Sequence, residues 1–364
     1  MKGTPSSASH RTILVTGGAG FVGSNLALRL KAQWPKSRVI ALDNLSRRGS
    51  ELNPPRLLEG GVEFVKGDVR NPDDLALKGV SPDLILECSA EPSVLAGYGD
   101  STLYMVQTNL MGTVNCLELA RKTRADVLFL STSRVYPLAA LNSLHFRETE
   151  SRFEFEPSQT VVGASEKGVS EDFPLGGSRT LYGATKLASE LLIWEYHDAF
   201  GVRSLVNRCG VIAGPWQMGK TDQGVFTHWV ASAHFNKPLR YIGWGGTGKQ
   251  VRDLLHIDDL ADLVMIQLAG FGKLAGRVFN VGGGPSSSLS LLETTRLCEE
   301  IVGKKLDVGP AQEERPGDVK WYVTDNARVS EATGWRPTRS PKDTLRSIHD
   351  WMSSNEPLVS KIFK

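Results

Sequence analysis

Two short stretches of this chain hold residue types that can do chemistry together. In YGATK, Tyr182 and Lys186 stand four residues apart at the head of a segment with helical apolar spacing. A helix there puts the phenol and the ammonium on one side, one turn apart. A cation so placed favours the phenolate and lowers a pKa that is about 10 in isolation. Tyr182 then becomes a base usable near neutral pH. In LSTSRVYP, Leu130 to Pro137, the hydroxyls of Ser131, Thr132 and Ser133 follow a strand-like run. Thr132 would hydrogen-bond a reacting hydroxyl while Tyr182 removes its proton. Serines and threonines at a strand end also satisfy loop backbone groups, and at least one of these three is expected to do so.

A third stretch supplies a partner for such a base. TGGAGFVGS, Thr16 to Ser24, places Gly17, Gly20 and Gly23 between a strand pattern and a helix pattern. That context reads as a dinucleotide-binding turn. Gly17 permits the turn, Gly20 lets a pyrophosphate reach the backbone, and Gly23 allows close packing of helix on sheet. The helix start then offers free N–H groups and a partial positive charge to phosphates. Asp43 closes the next strand, where a carboxylate can bond the adenosine ribose hydroxyls and repel a 2′-phosphate. NAD is therefore expected over NADP, a preference that Arg47 and Arg48 nearby weaken.

The elements that must position these residues alternate strand and helix through the first 210 positions. Strand patterns lie at 12–16, 38–43, 62–68, 83–89, 126–132 and 203–209, mostly apolar on both faces, as strands covered by helices on two sides should be. Helical patterns include 24–34 and 105–123, and Leu187, Leu191 and Trp194 mark an apolar face on the helix that carries Tyr182, with Gly201 as its stop. The fold class predicted is α/β, a Rossmann-type doubly wound parallel sheet with a smaller C-terminal substrate-binding α/β domain. The boundaries expected are a loose tail at 1–10, an NAD-binding domain over 11–209 that borrows a strand and helix from 251–283, and a mainly substrate-binding domain over 210–364. The stretch 139–180 lacks a helical period, its piece FEFEPSQTVV alternates like a surface hairpin, and so long a loop is more often functional than idle.

Composition narrows the setting. The net charge is +2, with 42 basic and 40 acidic residues scattered, so a nucleic-acid surface is not expected. Cys88, Cys116, Cys209 and Cys298 contain no CxxC pair, which suits a reducing cytoplasm and argues against a disulfide framework or structural zinc. MKGTPSSASH lacks the apolar core of a signal peptide, and no window nears the roughly 18 apolar residues of a membrane span. No metal is expected: in HIDDL, Asp258 reads as a helix cap beside His256 and Asp259, and Cys209 reads as a packing residue.

TGGAGFVGS, Asp43-Asn44, Ser131-Thr132-Ser133 and YGATK in this order resemble the extended short-chain dehydrogenase/reductase family, the nucleotide-sugar epimerases and dehydratases, over residues 11–350. Within it DNLSRRGSELN, SAEPSVLAG, STSRVYP, CGVIAGPWQMGK, QGVF and GGTGKQVRDLLHIDDL are similar to the CDP-paratose (CDP-tyvelose) 2-epimerase group, as is the extra segment between Tyr136 and Tyr182. The resemblance implies that NAD lies along Gly17, Gly20, Phe21, Val22 and Gly23, with Asp43, Asn44, Ser46 and Arg47 around the adenosine ribose and Asp68 and Val69 at the adenine. Ala90, Asn109 and Ser131 would line its path to the nicotinamide, and Thr132, Tyr182 and Lys186 would be catalytic, Lys186 also holding the nicotinamide ribose. Ser133, Gln223, Arg252 and Arg315 would meet the substrate, the two arginines at its diphosphate.

Two departures refine this expectation. The dehydratases of the family carry Asp-Glu directly after the active-site threonine, where this chain has Ser133-Arg134; elimination lacks its acid. Asparagine common in the following phosphate loop is replaced by Val211-Ile212, in keeping with the 2-epimerase group. The function implied is inversion of carbon 2 of a CDP-linked hexose by transient oxidation to a keto sugar, with hydride returned to its other face. A UDP-hexose 4-epimerase would share every catalytic residue, and a catalytically silent NAD sensor or scaffold is disfavoured by intact Thr132, Tyr182 and Lys186. A homo-oligomer, dimer or tetramer, is the assembly the family implies.

Overall fold

The computed structural model describes residues 12–77, 79–98, 102–219, 223–311 and 313–363; the expected tail at 1–10 lies outside the described residues. Seven strands form one parallel sheet: β1 (Thr12–Thr16), β2 (Arg38–Asp43), β3 (Glu63–Lys66), β4 (Leu84–Glu87), β5 (Asp126–Thr132), β6 (Ser204–Cys209) and β7 (Val278–Val281). Their order is β7-β6-β5-β4-β1-β2-β3, and every neighbouring pair runs parallel. The period of two along each strand feeds two cores. Ile13 and Val15 of β1 pack with Leu26 and Leu30 on one face, while Leu14 packs with Leu117 and Ala120 on the other. All seven residues of β5 are buried: the apolar run at its centre, Val127 to Leu130, requires it, and the polar ends, Asp126, Ser131 and Thr132, are buried with it. The chain turns in opposite directions after β1 and after β4, leaving a crevice at their carboxyl ends.

A second sheet joins the strands Val211–Ala213, Val251–His256 and Ser288–Ser290, with Trp321–Tyr322 beside the central one. Its core packs against the helices Val225–His234, Leu291–Val302 and Pro341–Ser354. The 139–180 stretch is a buttress: the Leu138–Asn142 helix, a hairpin pairing Phe146–Glu148 with Phe153–Phe155, and a second between Ala164–Ser165 and Gly168–Val169. Within FEFEPSQTVV only the first three residues are strand. Tyr136, Leu141, Val169 and Phe173 from this stretch share a core with Val251, Trp321 and Tyr322 of the second sheet.

Three local expectations are corrected. The helix predicted over 105–123 is Thr102–Val106, a π-helical turn at Gln107–Met111, and Gly112–Thr123. The irregular turn coincides with Asn109, whose buried amide bonds the backbone of Glu91 and the hydroxyl of Thr185. The helix of Ile257–Ala269 is capped by His256, whose Nδ1 accepts from the N–H of Asp258, so Asp258 is not the cap. The Leu181–Phe200 helix starts at Thr180, whose hydroxyl accepts from the Gly183 N–H, and stops at Gly201 in the left-handed region. Its buried stripe is nevertheless Lys186, Ser189, Glu190 and Ile193, while Leu191 points outward at 51 % exposure. The polar stripe is buried because it meets polar partners on the sheet and its neighbouring helix.

Candidate active site

A cavity of about 390 Å³ opens where β1, β4, β5 and β6 end, roofed by residues of the second sheet and its loops. The glycine loop forms one wall because no other residue fits it. A Cβ on Gly17, at φ +63°, would stand 2.8 Å from the carbonyl oxygen of Cys88, and one on Gly23 would stand 2.2 Å from that of Gly17. Gly20 begins the Phe21–Gln33 helix with no side-chain cap and no acidic residue in the first turn. The helix start is thus left to an anion from the cavity. Asp43 sits at the end of β2, its two oxygens accepting from the N–H groups of Ala19 (3.1 Å) and Leu45 (2.8 Å). Burial raises its pKa above the ordinary carboxylate value.

The expected base lies across the cavity. Thr132 ends β5 and accepts from the N–H of Arg134 at 3.2 Å, and its hydroxyl lies near enough to the phenol of Tyr182 to lower its pKa. Burial holds Tyr182 up at about 12, against the lowering exerted by Thr132 and by Arg134. Lys186 stands one turn further along the same helix. Its ammonium is fully buried, 3.8 Å from the carboxylate of Glu87 and 3.8 Å from the ring centre of Phe129. Burial lowers the pKa of Lys186, and Glu87 opposes that. Ser131 turns its hydroxyl to Glu190, which is bound by Arg208 at 2.7 Å; Arg208 reaches the hydroxyl of Tyr136 at 3.2 Å. This buried chain of polar groups fixes the end of β5 to the tyrosine helix.

Three arginines face the cavity at its second-sheet end. Arg252, on the central strand, pairs with Asp318 at 2.7 Å. Arg315 lies in the same RPGD turn as Asp318. Arg134 donates to the carbonyl of Gly317 at 2.8 Å, and its pKa is drawn down to about 10 by burial, then by Arg252. Gly317 needs its positive φ of 72°, and a Cβ there would meet Thr180 at 2.5 Å, so the RPGD turn rests on the cap of the tyrosine helix. Asn142 of the buttress donates to the Asp318 carbonyl at 3.2 Å and accepts from the Lys320 N–H at 3.1 Å, which holds the turn from behind.

Comparison with known proteins accords with this geometry. Residues 13–282 match the model of the NAD dependent epimerase/dehydratase family. CDP-paratose 2-epimerase of Salmonella typhi is 32% identical over 94% of this chain and 99% of its own length. The chain belongs to the NAD dependent epimerase/dehydratase family. A dTDP-glucose 4,6-dehydratase of Xanthomonas campestris pv. campestris is 28% identical over 96% of this chain and 95% of its own. The structure of UDP-glucuronic acid 4-epimerase from Bacillus cereus, in complex with UDP-glucuronic acid and NAD, superposes with a TM-score of 0.77 at 26% identity, covering 94% of this chain and 99% of that one.

As a member of this NAD-dependent family the chain uses NAD, and the cavity fits it: an uncapped helix start for the pyrophosphate and a carboxylate at the end of β2. Gly17, Gly20, Phe21, Val22, Gly23, Asp43, Asn44, Ser46, Arg47, Val69, Ala90, Ser131, Thr132, Ser133, Tyr182, Gln223, Arg252 and Arg315 all line that cavity. Asp68, Asn109 and Lys186 are not in its lining. Asp68 is bound by Arg70 at 2.6 Å and by the Asn44 amide at 2.9 Å, and Arg70 first holds its pKa down at about 2. Arg47 reaches across to Gln223, joining the cofactor wall to the opposite loop. Sequence reasoning passed over Tyr104, Gln250, Asp318 and Arg134 as cavity residues. Asp318 sits three residues after Arg315, Arg134 directly after Thr132-Ser133 and Gln250 within GGTGKQVRDLLHIDDL, so these three carried a signal; Tyr104 carried none. His256 and Asp259 are engaged elsewhere, with Ser347 at 3.0 Å and with Arg339 at 2.7 Å. Cys209 borders the cavity as a thiol that burial pushes up to about 12.

Proposed function

We propose that this NAD-dependent enzyme inverts carbon 2 of a CDP-linked hexose. The observation that carries this reading is the 32% identity with CDP-paratose 2-epimerase over nearly the whole of both chains. Ser133-Arg134 after Thr132 supports it, since a dehydratase needs an acid where this chain has none. NAD, when bound, supplies a reversible acceptor for the two electrons and hydrogen removed from the sugar. Thr132 and Tyr182 bracket the reacting hydroxyl: Thr132 orients it, and Tyr182 takes its proton and later returns one. Arg252 and Arg315 bind the diphosphate through their planar forks, for which Arg252 exchanges Asp318 for substrate. The walls of the cavity between the two sheets keep water from the keto sugar while it turns over. Lys186 completes the catalytic group with Thr132 and Tyr182 by holding the nicotinamide ribose, and it also ties the tyrosine helix to the sheet through Glu87.

The test is a panel of CDP- and UDP-hexoses in deuterated water, with the products assigned by NMR. Inversion at carbon 2 without deuterium there is expected. Deuterium at carbon 2 would reject transient oxidation, and inversion of a UDP-hexose at carbon 4 would establish the second reading. That second reading has its own support, the superposition on UDP-glucuronic acid 4-epimerase. The assembly proposed is a homo-oligomer paired through the helices beside the cavity, where Leu103, Met111 and Leu191 are exposed by 66 %, 46 % and 51 %. Light scattering that gives a monomer would exclude it.

A further inference from the structure

The RPGD turn, Arg315 to Asp318, borders the cavity from a stretch, 313–320, that belongs to no strand or helix. Carbonyls in such a stretch need partners from elsewhere. Three consecutive ones find them on side chains of three distant segments. Gly317 accepts from Arg134 at 2.8 Å, Asp318 from Asn142 at 3.2 Å and Val319 from Arg252 at 2.8 Å. Arg134 and Arg252 belong to the cavity lining, whereas Asn142 stands behind it. Asn142 ends the Leu138–Asn142 helix of the buttress, and its amide oxygen also accepts from the Lys320 N–H at 3.1 Å. One side chain thus grips the main chain on both sides of Val319. Its own footing is firm, because the adjoining Leu141 shares a buried core with Val319 and Trp321. Gly243 also lies close against the turn, where a Cβ would stand 3.3 Å from Asp318 Oδ2 and 3.6 Å from the Arg315 Cβ. The anchor at Arg252 is different in kind. Its guanidinium holds both the Asp318 carboxylate, at 2.7 Å, and the Val319 carbonyl, so a diphosphate taken by Arg252 loosens two ties to the turn together.

We propose that Asn142 is a positioning residue for the nucleoside diphosphate: it holds the main chain of the RPGD turn, and with it Arg315, while Arg252 exchanges Asp318 for substrate. Its two bonds are to main-chain groups, so ligand binding leaves them in place. A turn held in this way is ordered before the diphosphate arrives, whereas a loose one must be ordered by it, at the expense of affinity. The stretch 139–180 thereby acquires a task at the site although Asn142 touches neither substrate nor cofactor. The inference rests on Arg252 and Arg315 being the diphosphate contacts, but not on which sugar or which of its carbons reacts.

The experiment is calorimetric titration of the NAD-loaded protein with CDP and with UDP, the tighter of the two serving as the probe. Asn142→Leu keeps the volume of the side chain and removes both bonds. It should weaken binding about tenfold, the scale of one or two lost hydrogen bonds, while the bound NAD content stays at the parent's level. Asn142→Ala is carried alongside in case leucine is not accommodated, and is read in the same way. Arg315→Ala should weaken the probe at least as much. Adding Asn142→Leu to Arg315→Ala should then weaken it little further, because the turn no longer presents the group that Asn142 positions. Unchanged affinity in the Asn142 variants overturns the proposal. So does a full tenfold loss on top of Arg315→Ala, the mark of a general distortion of the cavity. If Arg315→Ala itself leaves the affinity unchanged, the reading of Arg315 as a diphosphate contact falls first, and the assignment of Asn142 falls with it. The sugar panel is read separately and bears on neither.

Discussion

A phenol enclosed by protein resists losing its proton, and at the scale of single residues this governs Tyr182. Its pKa of about 12 lies above the value near 10 of an unfolded tyrosine. The folded state therefore binds the proton more tightly, and the stabilisation this gives is complete below about pH 10 and is lost as pH rises through about 12. Urea unfolding across that window should show falling stability in the parent and a shallower fall in Tyr182→Phe. Tyr136, also held up at about 12, keeps titrating in both. Equal slopes would mean that Tyr182 is not the group responsible. The same substitution should lower turnover by ~10²–10⁴-fold, the contribution of a positioned acid–base group, while leaving the bound NAD content intact. Unchanged function would favour the silent sensor instead. YGATK correctly marked a tyrosine and a lysine one helical turn apart. It could not show that Glu87, almost one hundred positions away, would claim the lysine.

Elements set how closely these residues approach one another. The Phe21–Gln33 helix can lie against β1 and β4 only because Gly17 and Gly23 lack side chains. Gly23→Ala should cost ~1–3 kcal/mol through overpacking and weaken NAD binding at least tenfold, measured by thermal unfolding and by NAD titration. Retention of full NAD affinity would show that the loop tolerates the shift. The tyrosine helix is fixed differently, by Glu190 and Arg208, both almost fully buried. Glu190→Ala leaves Arg208 as an uncompensated buried charge and releases Ser131, so a loss of ~3–5 kcal/mol is expected in urea unfolding. A loss below about 1 kcal/mol would mean that water reaches the pair. The strands of the large sheet were legible because residues buried on both faces are mostly apolar, with paired exceptions such as Glu87 and Arg208. The buried face of the tyrosine helix was not, because its burial is polar and its leucines look outward.

At the scale of the whole molecule, two sheets and a buttress enclose one cavity, bridged by Arg47 and Gln223. A ligand that binds only the folded chain stabilises it by mass action, so NAD at a hundred times its dissociation constant should add ~2.7 kcal/mol, and its removal should lower the melting temperature accordingly. A melting temperature indifferent to NAD would contradict the cavity as its site. The sequence by itself determined the parallel sheet, the glycine loop, the carboxylate after β2 and the hydroxyls at the end of β5. These follow from local rules, in which apolar periodicity, glycine spacing and strand ends act over a few residues. Only the tertiary structure decided which charges meet. Lys186 with Glu87, Arg208 with Glu190 and Asp318 with Arg252 are set by where the backbone brings distant segments, since a charge in a low-dielectric interior answers to its nearest partner in space.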